Sequence, residues 1–364
     1  MTLTRDVRQQ RKVEHVHAVQ ALGDPTGVSN GFECVSLVPC SAPEVAWDDV
    51  SLATELCGIR LESPILINAM TGGADEVYDI NRKLAQVARR FGLAMALGSA
   101  SAGLASPEVA YTYRVVREIH QDGVVIANVG MGTRLERARQ AVELVRADLL
   151  QVHFNAAQEL FMAEGDRDFR GALEALAEVA RGVGVPVVAK EVGQGISAED
   201  AIRFADAGVR AIDVGGLGGT NFIAVEAWRR RAEIDEFWNR WGLPTAASLC
   251  EVAAAVGGRA DVIASGGIRT ALDVAKAMAL GASAVGIAGP LVRLVTQPNG
   301  EEQLNRFIED LHFGLRALLV LTGCRNFSDL RGKPVVILGW LREWLEARGL
   351  KAWMDARGRA PLGA

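Results

Sequence analysis

Eight short apolar runs, separated by amphipathic helical stretches, constrain the fold of this chain more than any other feature of its sequence. They lie at 64–70 (PILINAM), 93–99 (LAMALGS), 124–130 (VVIANVG), 149–155 (LLQVHFN), 185–192 (VPVVAKEV), 211–216 (AIDVGG), 261–267 (DVIASGG) and 284–290 (AVGIAGP). Unbroken runs of Val, Ile, Leu and Ala read as strands buried on both faces of a parallel sheet. The stretches between them carry helix start signals. Ser106-Pro107-Glu108 reads as an N-cap with proline at the first helical position, and Ser197 with Asp200 and Thr270 with Asp273 read as capping boxes. Parallel crossovers are right-handed, so eight β/α units close most simply into a (β/α)₈ TIM barrel, ahead of an open doubly wound sheet.

A length of 364 residues fits one such barrel with additions. The expected division is an N-terminal arm and covering segment at 1–60, the barrel at 61–332, and a C-terminal helical extension at 333–364 ending in a flexible tail (RGRAPLGA). An insertion after strand six, at about 217–241, carries Trp228, Trp238 and Trp241. Together with residues 1–60 it is expected to cover one mouth of the barrel. The net charge of −5, with scattered basic residues, excludes the electrostatic footprint of a nucleic-acid binder. Cys34, Cys40, Cys57, Cys250 and Cys324 have neither paired nor metal-like spacing, which fits a reducing compartment. Arg5, Asp6, Arg8, Arg11 and Lys12 replace the apolar stretch of a signal peptide, and no run reaches membrane-spanning length. A cytoplasmic location is expected.

In this fold the C-terminal ends of the strands face the active site, and here they form an unusually polar set. Strand seven ends in Ser265-Gly266-Gly267-Ile268-Arg269 and strand eight in Ile287-Ala288-Gly289-Pro290. One glycine turn alone means only a tight turn, but two at these ends point to a phosphate site. Lys190 interrupts the apolar VVAKEVG, so it is either paired inside the barrel or a fixed cation beside a cofactor ring. Gln151, His153 and Asn155 alternate along strand four and share a face, which favours a site over a satisfied core histidine. Glu159 is expected to hold Mg²⁺ as a hard oxygen ligand, its bland alternative being a solvated helix residue.

At Arg11-Lys12-x-Glu14-His15, Ala69-Met70-Thr71-Gly72-Gly73, Gln151-x-His153-x-Asn155-x-x-Gln158-Glu159, Glu164-Gly165-Asp166-Arg167 and Lys190-Glu191-Val192-Gly193 the chain resembles type 2 isopentenyl-diphosphate isomerases. The resemblance implies an enzyme of isoprenoid biosynthesis that uses reduced FMN and Mg²⁺ to interconvert isopentenyl and dimethylallyl diphosphate. NADPH would serve only to reduce the flavin, and the assembly would be a homo-oligomer, tetramer or octamer. By position, Ala69, Met70, Thr71, Ser99, Asn128, Lys190, Thr220, Gly266, Gly267, Arg269, Ala288 and Gly289 correspond to FMN contacts. Arg11, Lys12, Ser99, His153, Asn155 and Gln158 correspond to substrate contacts and Glu159 to the metal ligand. Gln158, Lys190 and His153 are the expected catalytic group.

Two positions depart from the family pattern. Ser101 stands where Arg or Asn is frequent, and Gly215 where serine is common, which puts one diphosphate contact and one FMN hydroxyl contact in question. The alternatives are an FMN oxidoreductase of the 2-hydroxy-acid oxidase type and a non-catalytic flavin- or phosphate-binding barrel. The first would carry His-Gly-x-Arg after strand six, where this chain has GGLGGT. The second would not maintain so costly a polar cluster on strand four.

Overall fold

Each apolar run forms one strand, shorter than the run because the polar ends leave the hydrogen-bonded ladder. The computed structural model describes residues 7–23, 25 and 27–358. Its strands are β1 (Ile65–Ile67), β2 (Ala94–Ala96), β3 (Val125–Gly130), β4 (Leu149–Phe154), β5 (Val187–Glu191), β6 (Ala211–Asp213), β7 (Asp261–Ser265) and β8 (Ala284–Ile287). Every neighbour pairs in parallel and β8 returns to β1, so the sheet is a closed barrel with no free edge.

Strand side chains alternate, and the alternation sorts this barrel into two environments. Leu66, Ala94, Ala96, Ile126, Leu149, Val188, Ala211, Ile263 and Ala284 form one buried cluster in the barrel interior. Two residues further along, Asn68, Asn128, Gln151, Lys190, Asp213 and Ser265 are buried and polar. The intervening residues, such as Ile67, Val129, Val152, Ala189 and Ile212, join the larger core that packs strands against helices. The lower interior is thus apolar and the upper interior polar, which puts the chemistry at the C-terminal mouth.

The N-terminal segment divides between the two mouths. Helix Val7–Leu22 packs against helix Phe222–Arg230 of the insertion, and both lie at the C-terminal mouth. The hairpin Thr54–Leu56/Ile59–Leu61 instead drives Leu56 and Leu61 into the apolar end of the barrel. Coverage of one mouth by all of residues 1–60 is therefore corrected. The C-terminal extension opens with a strand, Val335–Ile337, antiparallel to Val35–Leu37, before helices Gly339–Ala347 and Lys351–Gly358. The tail beyond Gly358 lies outside the described residues.

The capping signals behave unequally. Thr270 and Asp273 form the full capping box, whereas Ser197 accepts from the Asp200 N–H and the Asp200 carboxylate turns to Arg203. Ser106 makes no side-chain cap. Pro107 begins a 3₁₀ turn, Pro107–Val109, and the α-helix starts only at Tyr111.

Candidate active site

A hydrogen-bonded chain of buried side chains forms the floor of the C-terminal cavity. Lys190 Nζ donates to Asp213 Oδ2 at 2.9 Å, and Asn68 Nδ2 donates to the same oxygen at 2.7 Å. The Ser265 hydroxyl donates to the other carboxylate oxygen. Both partners of the Lys190–Asp213 pair are buried, and the extra donors satisfy the lone pairs such a pair leaves over. Lys190 is therefore paired inside the barrel, as one sequence expectation had it, and at the same time lines the cavity.

Because an ionised carboxylate only accepts, the chain has a direction. Asn68 spends its amide N–H on Asp213, so its oxygen accepts from Gln151 Nε2 at 3.2 Å. Gln151 accepts from Asn128 Nδ2 at 3.1 Å, and Asn128 Oδ1 faces His153 Nδ1 at 2.8 Å. Burial first, then the charges of Lys12, Lys190 and Arg11, push His153 down to about 3, so the ring is neutral near pH 7. With Asn128 Oδ1 as the acceptor, the ring proton is assigned to Nδ1 and Nε2 becomes the acceptor nitrogen.

A second network joins the helix that follows β4, Ala156–Phe161, to the N-terminal helix and the insertion. Gln158 Oε1 accepts from Asn155 Nδ2 at 3.1 Å, while its amide donates to Glu226 Oε1 at 2.9 Å. Glu226 is fully buried and is also met by His15 Nε2 at 2.9 Å and by Arg229. Burial raises this carboxyl, but the bonds from His15 and Gln158 and the charge of Arg229 outweigh it and hold Glu226 at about 2. It is ionised at neutral pH. Arg229 continues to Glu14 at 2.8 Å and Glu164 at 3.1 Å, tying the N-terminal helix to the loop after β4.

Arg11, Lys12 and His15 project from that helix into the cavity wall. Lys12 is buried, and burial followed by the neighbouring Arg11 charge lowers its ammonium to about 7. Glu159 lines the same wall, with Oε1 accepting from Asn155 Nδ2 at 2.9 Å and Oε2 from the Asp166 N–H at 3.0 Å. Among the described residues no group of three His, Cys, Asp or Glu side chains gathers into a ready metal cage.

The far end of the cavity is walled by backbone. A Cβ on Gly219 would stand 2.6 Å from the Gly267 nitrogen, and one on Gly289 would stand 3.0 Å from Thr220 Oγ1 and 3.2 Å from Arg293 Nη1. Gly266 and Gly267 have φ of +111° and +71°, a region that favours glycine. Gly215 explains one departure from the family pattern. At φ +49° its Cβ would lie 1.9 Å from the Glu191 carbonyl oxygen, so this backbone excludes serine.

All the residues carried over by position line this cavity except Thr71. Thr71 is buried beside it, and its hydroxyl has no partner among the described residues. Sequence reasoning passed over Asp213, Asn68, Ser265, Glu226 and Arg229 as site residues. Asp213 and Asn68 carried a signal, a polar residue inside an apolar run as at Lys190, whereas Glu226 lies in an amphipathic helix that shows none.

Residues 129–336 match the FMN-dependent dehydrogenase family. An isopentenyl-diphosphate delta-isomerase of Symbiobacterium thermophilum is 48% identical over 354 residues, covering 95% of this chain and 97% of that protein. One from Moorella thermoacetica is 46% identical over 341 residues, covering 94% and 97%. A lactate oxidase structure from Pediococcus acidilactici superposes with a TM-score of 0.68 at 18% identity, covering 91% of this chain and 93% of that one. At that identity it attests the barrel alone. Near full-length likeness to the isomerases, joined to the FMN-dependent family match and the closed barrel, means that this chain belongs to the type 2, FMN-dependent isopentenyl-diphosphate delta-isomerases.

Proposed function

We propose that this chain interconverts isopentenyl and dimethylallyl diphosphate using reduced FMN, with Mg²⁺ bound through Glu159 and NADPH acting only to reduce the flavin. The observation that carries the reading is one cavity joining a glycine-walled end and the Lys190–Asp213 floor to Arg11, Lys12 and the Gln158–Glu226 pair. FMN suits the residues present. The close-packed glycine turns bring backbone into the cavity wall, where N–H groups suit a phosphate, and the buried Thr71 hydroxyl has no partner among the described residues. Mg²⁺ suits Glu159, whose carboxylate keeps acceptor capacity beyond its two hydrogen bonds, with water and phosphate oxygens completing the shell.

The double-bond shift adds a proton at the terminal alkene carbon and removes one from the carbon next to the diphosphate-bearing methylene. Reduced flavin supplies an electron-rich ring that favours cationic character in such a transition state. Lys190, held by Asp213, sets a fixed positive charge on the floor. Arg11 and Lys12 bind the diphosphate and so position the alkene. Gln158, fixed at both ends of its amide, orients the proton-transfer site, and the Glu226 charge behind it favours a developing cation. Helix Val7–Leu22 excludes water from above.

The same reading assigns a cytoplasmic homo-oligomer, tetramer or octamer. Five free cysteines support a reducing compartment, and exposed Phe237 and Trp241 beside Trp238 offer apolar surface for a subunit contact. No helix among the described residues is long and apolar enough to cross a membrane. The test is stoichiometry. Dithionite should replace NADPH, and many product molecules should form per NADPH oxidised; a one-to-one ratio would favour an oxidoreductase.

A further inference from the structure

Asn30 lies outside the cavity, in the N-terminal segment, yet it grips the turn that follows β7. Its Nδ2 donates to the Gly267 carbonyl at 2.7 Å while its Oδ1 accepts from the Phe32 N–H at 3.0 Å. Its own carbonyl accepts from the Ala246 N–H at 2.8 Å. The approach is close enough that a Cβ on Gly218, in the loop after β6, would meet Asn30 Cα at 2.7 Å. Asn30 thus joins the β6 loop, the β7 turn and helix Thr245–Val256 through one side chain and one peptide.

In a planar trans peptide the N–H of one residue points opposite to the carbonyl of the residue before it. Holding the Gly267 carbonyl therefore also fixes the direction of the Ile268 N–H, and both residues line the cavity. The only other donor to that carbonyl among the described residues is Arg269 Nη1, at 2.7 Å. Arg269 also lines the cavity, so a guanidinium drawn towards a bound anion leaves Asn30 to hold the peptide alone.

We propose that Asn30 is a positioning residue for the flavin phosphate: its carboxamide sets the Gly267–Ile268 peptide so that the turn presents N–H rather than carbonyl to the anion. This rests on the reading that FMN places its phosphate at the ends of β7 and β8. Asn30 does not line the cavity, so its effect is expected at the phosphate turn alone.

Riboflavin, which has the same ring and ribityl chain without phosphate, separates the outcomes. The full-length apoprotein and its Asn30→Ser and Asn30→Asp variants are titrated with FMN and with riboflavin, following quenching of flavin fluorescence. Both variants keep an oxygen for the Phe32 N–H; Asp removes the donor to Gly267, and Ser, one atom shorter, draws its hydroxyl back from that carbonyl. Each should weaken FMN by about fivefold to tenfold, Asp the more because it sets a carboxylate against a carbonyl, and leave riboflavin unchanged within about twofold. Equal losses for both flavins would mean general loosening and would overturn the proposal, as would an unchanged FMN-to-riboflavin ratio. A wild-type protein that fails to prefer FMN over riboflavin would refute the phosphate-site reading itself.

Discussion

Lys12 offers a test of the active site that depends on proton binding rather than on loss of a group. Its ammonium is lowered to about 7 by burial and then by Arg11, in a wall that the proposed function assigns to the diphosphate. The diphosphate needs the charged form. Below about pH 7 that form is already present, and above it binding must draw a proton onto Lys12, so affinity falls as pH rises. Each unit above the pKa costs about 1.4 kcal/mol, so at about pH 9 the penalty reaches ~2.7 kcal/mol, or roughly a hundredfold in KM. Lys12→Arg keeps a cation that does not deprotonate in this range, and its KM should stay nearly flat. Lys12→Met should show a raised and flat KM that the wild type approaches at high pH. The assay is isopentenyl diphosphate turnover with the flavin kept reduced, from about pH 6 to about pH 9, all three proteins in the same buffers. Substrate and flavin ionisations are common to the three, so the difference between wild type and Lys12→Arg isolates the lysine. Parallel KM profiles for those two proteins would refute the reasoning.

Glu159→Gln removes charge at constant size, so it should raise the Mg²⁺ requirement and the KM while leaving flavin occupancy intact, with extra Mg²⁺ giving partial rescue. Wild-type Mg²⁺ and substrate curves would show Glu159 to be a solvated helix residue. Gly215→Ser, which restores the residue common in the family, should cost upward of about 2 kcal/mol because the Cβ meets the Glu191 carbonyl at positive φ. Since Glu191 follows Lys190 on β5, thermal melting and flavin retention should fall together. A variant as stable as the wild type, with full flavin content, would contradict the geometry.

What the sequence made legible was whatever local pattern decides. Strand number and order followed from apolar runs and the handedness of crossovers, and the polar run-ends marked one mouth of the barrel. The apolar plug at the other mouth was harder to see. Its turn is Cys57-Gly58, with φ of +55° and +80°, and cysteine is not a residue that announces two left-handed positions in a row. Glu226 was illegible for a different reason. Its neighbours Ile223, Val225 and Ala227 are also buried, and only the docking of the insertion on helix Val7–Leu22 brings it to His15, as its packing on helix Ala156–Phe161 brings it to Gln158.

Asp213 and Asn68 belong to a third class, legible in principle through strand register. On β1, β3, β4, β5, β6 and β7 the inward positions run from apolar to polar in one step of two residues, as Leu66 to Asn68, Ile126 to Asn128, Leu149 to Gln151, Val188 to Lys190, Ala211 to Asp213 and Ile263 to Ser265. On β8 the step runs from Ala284 to Gly286, where a Cβ would stand 2.4 Å from Asn68 Nδ2, so the glycine makes room for the polar layer instead of joining it. Closure of the barrel puts these steps at one level, and the polar groups must then satisfy one another or a ligand. A single buried lysine among them requires a carboxylate nearby. On β1 and β3 to β8, Asp213 is the one acidic residue at that level. The pairing that anchors the floor of the site could thus be derived from register alone, before any side chain is placed.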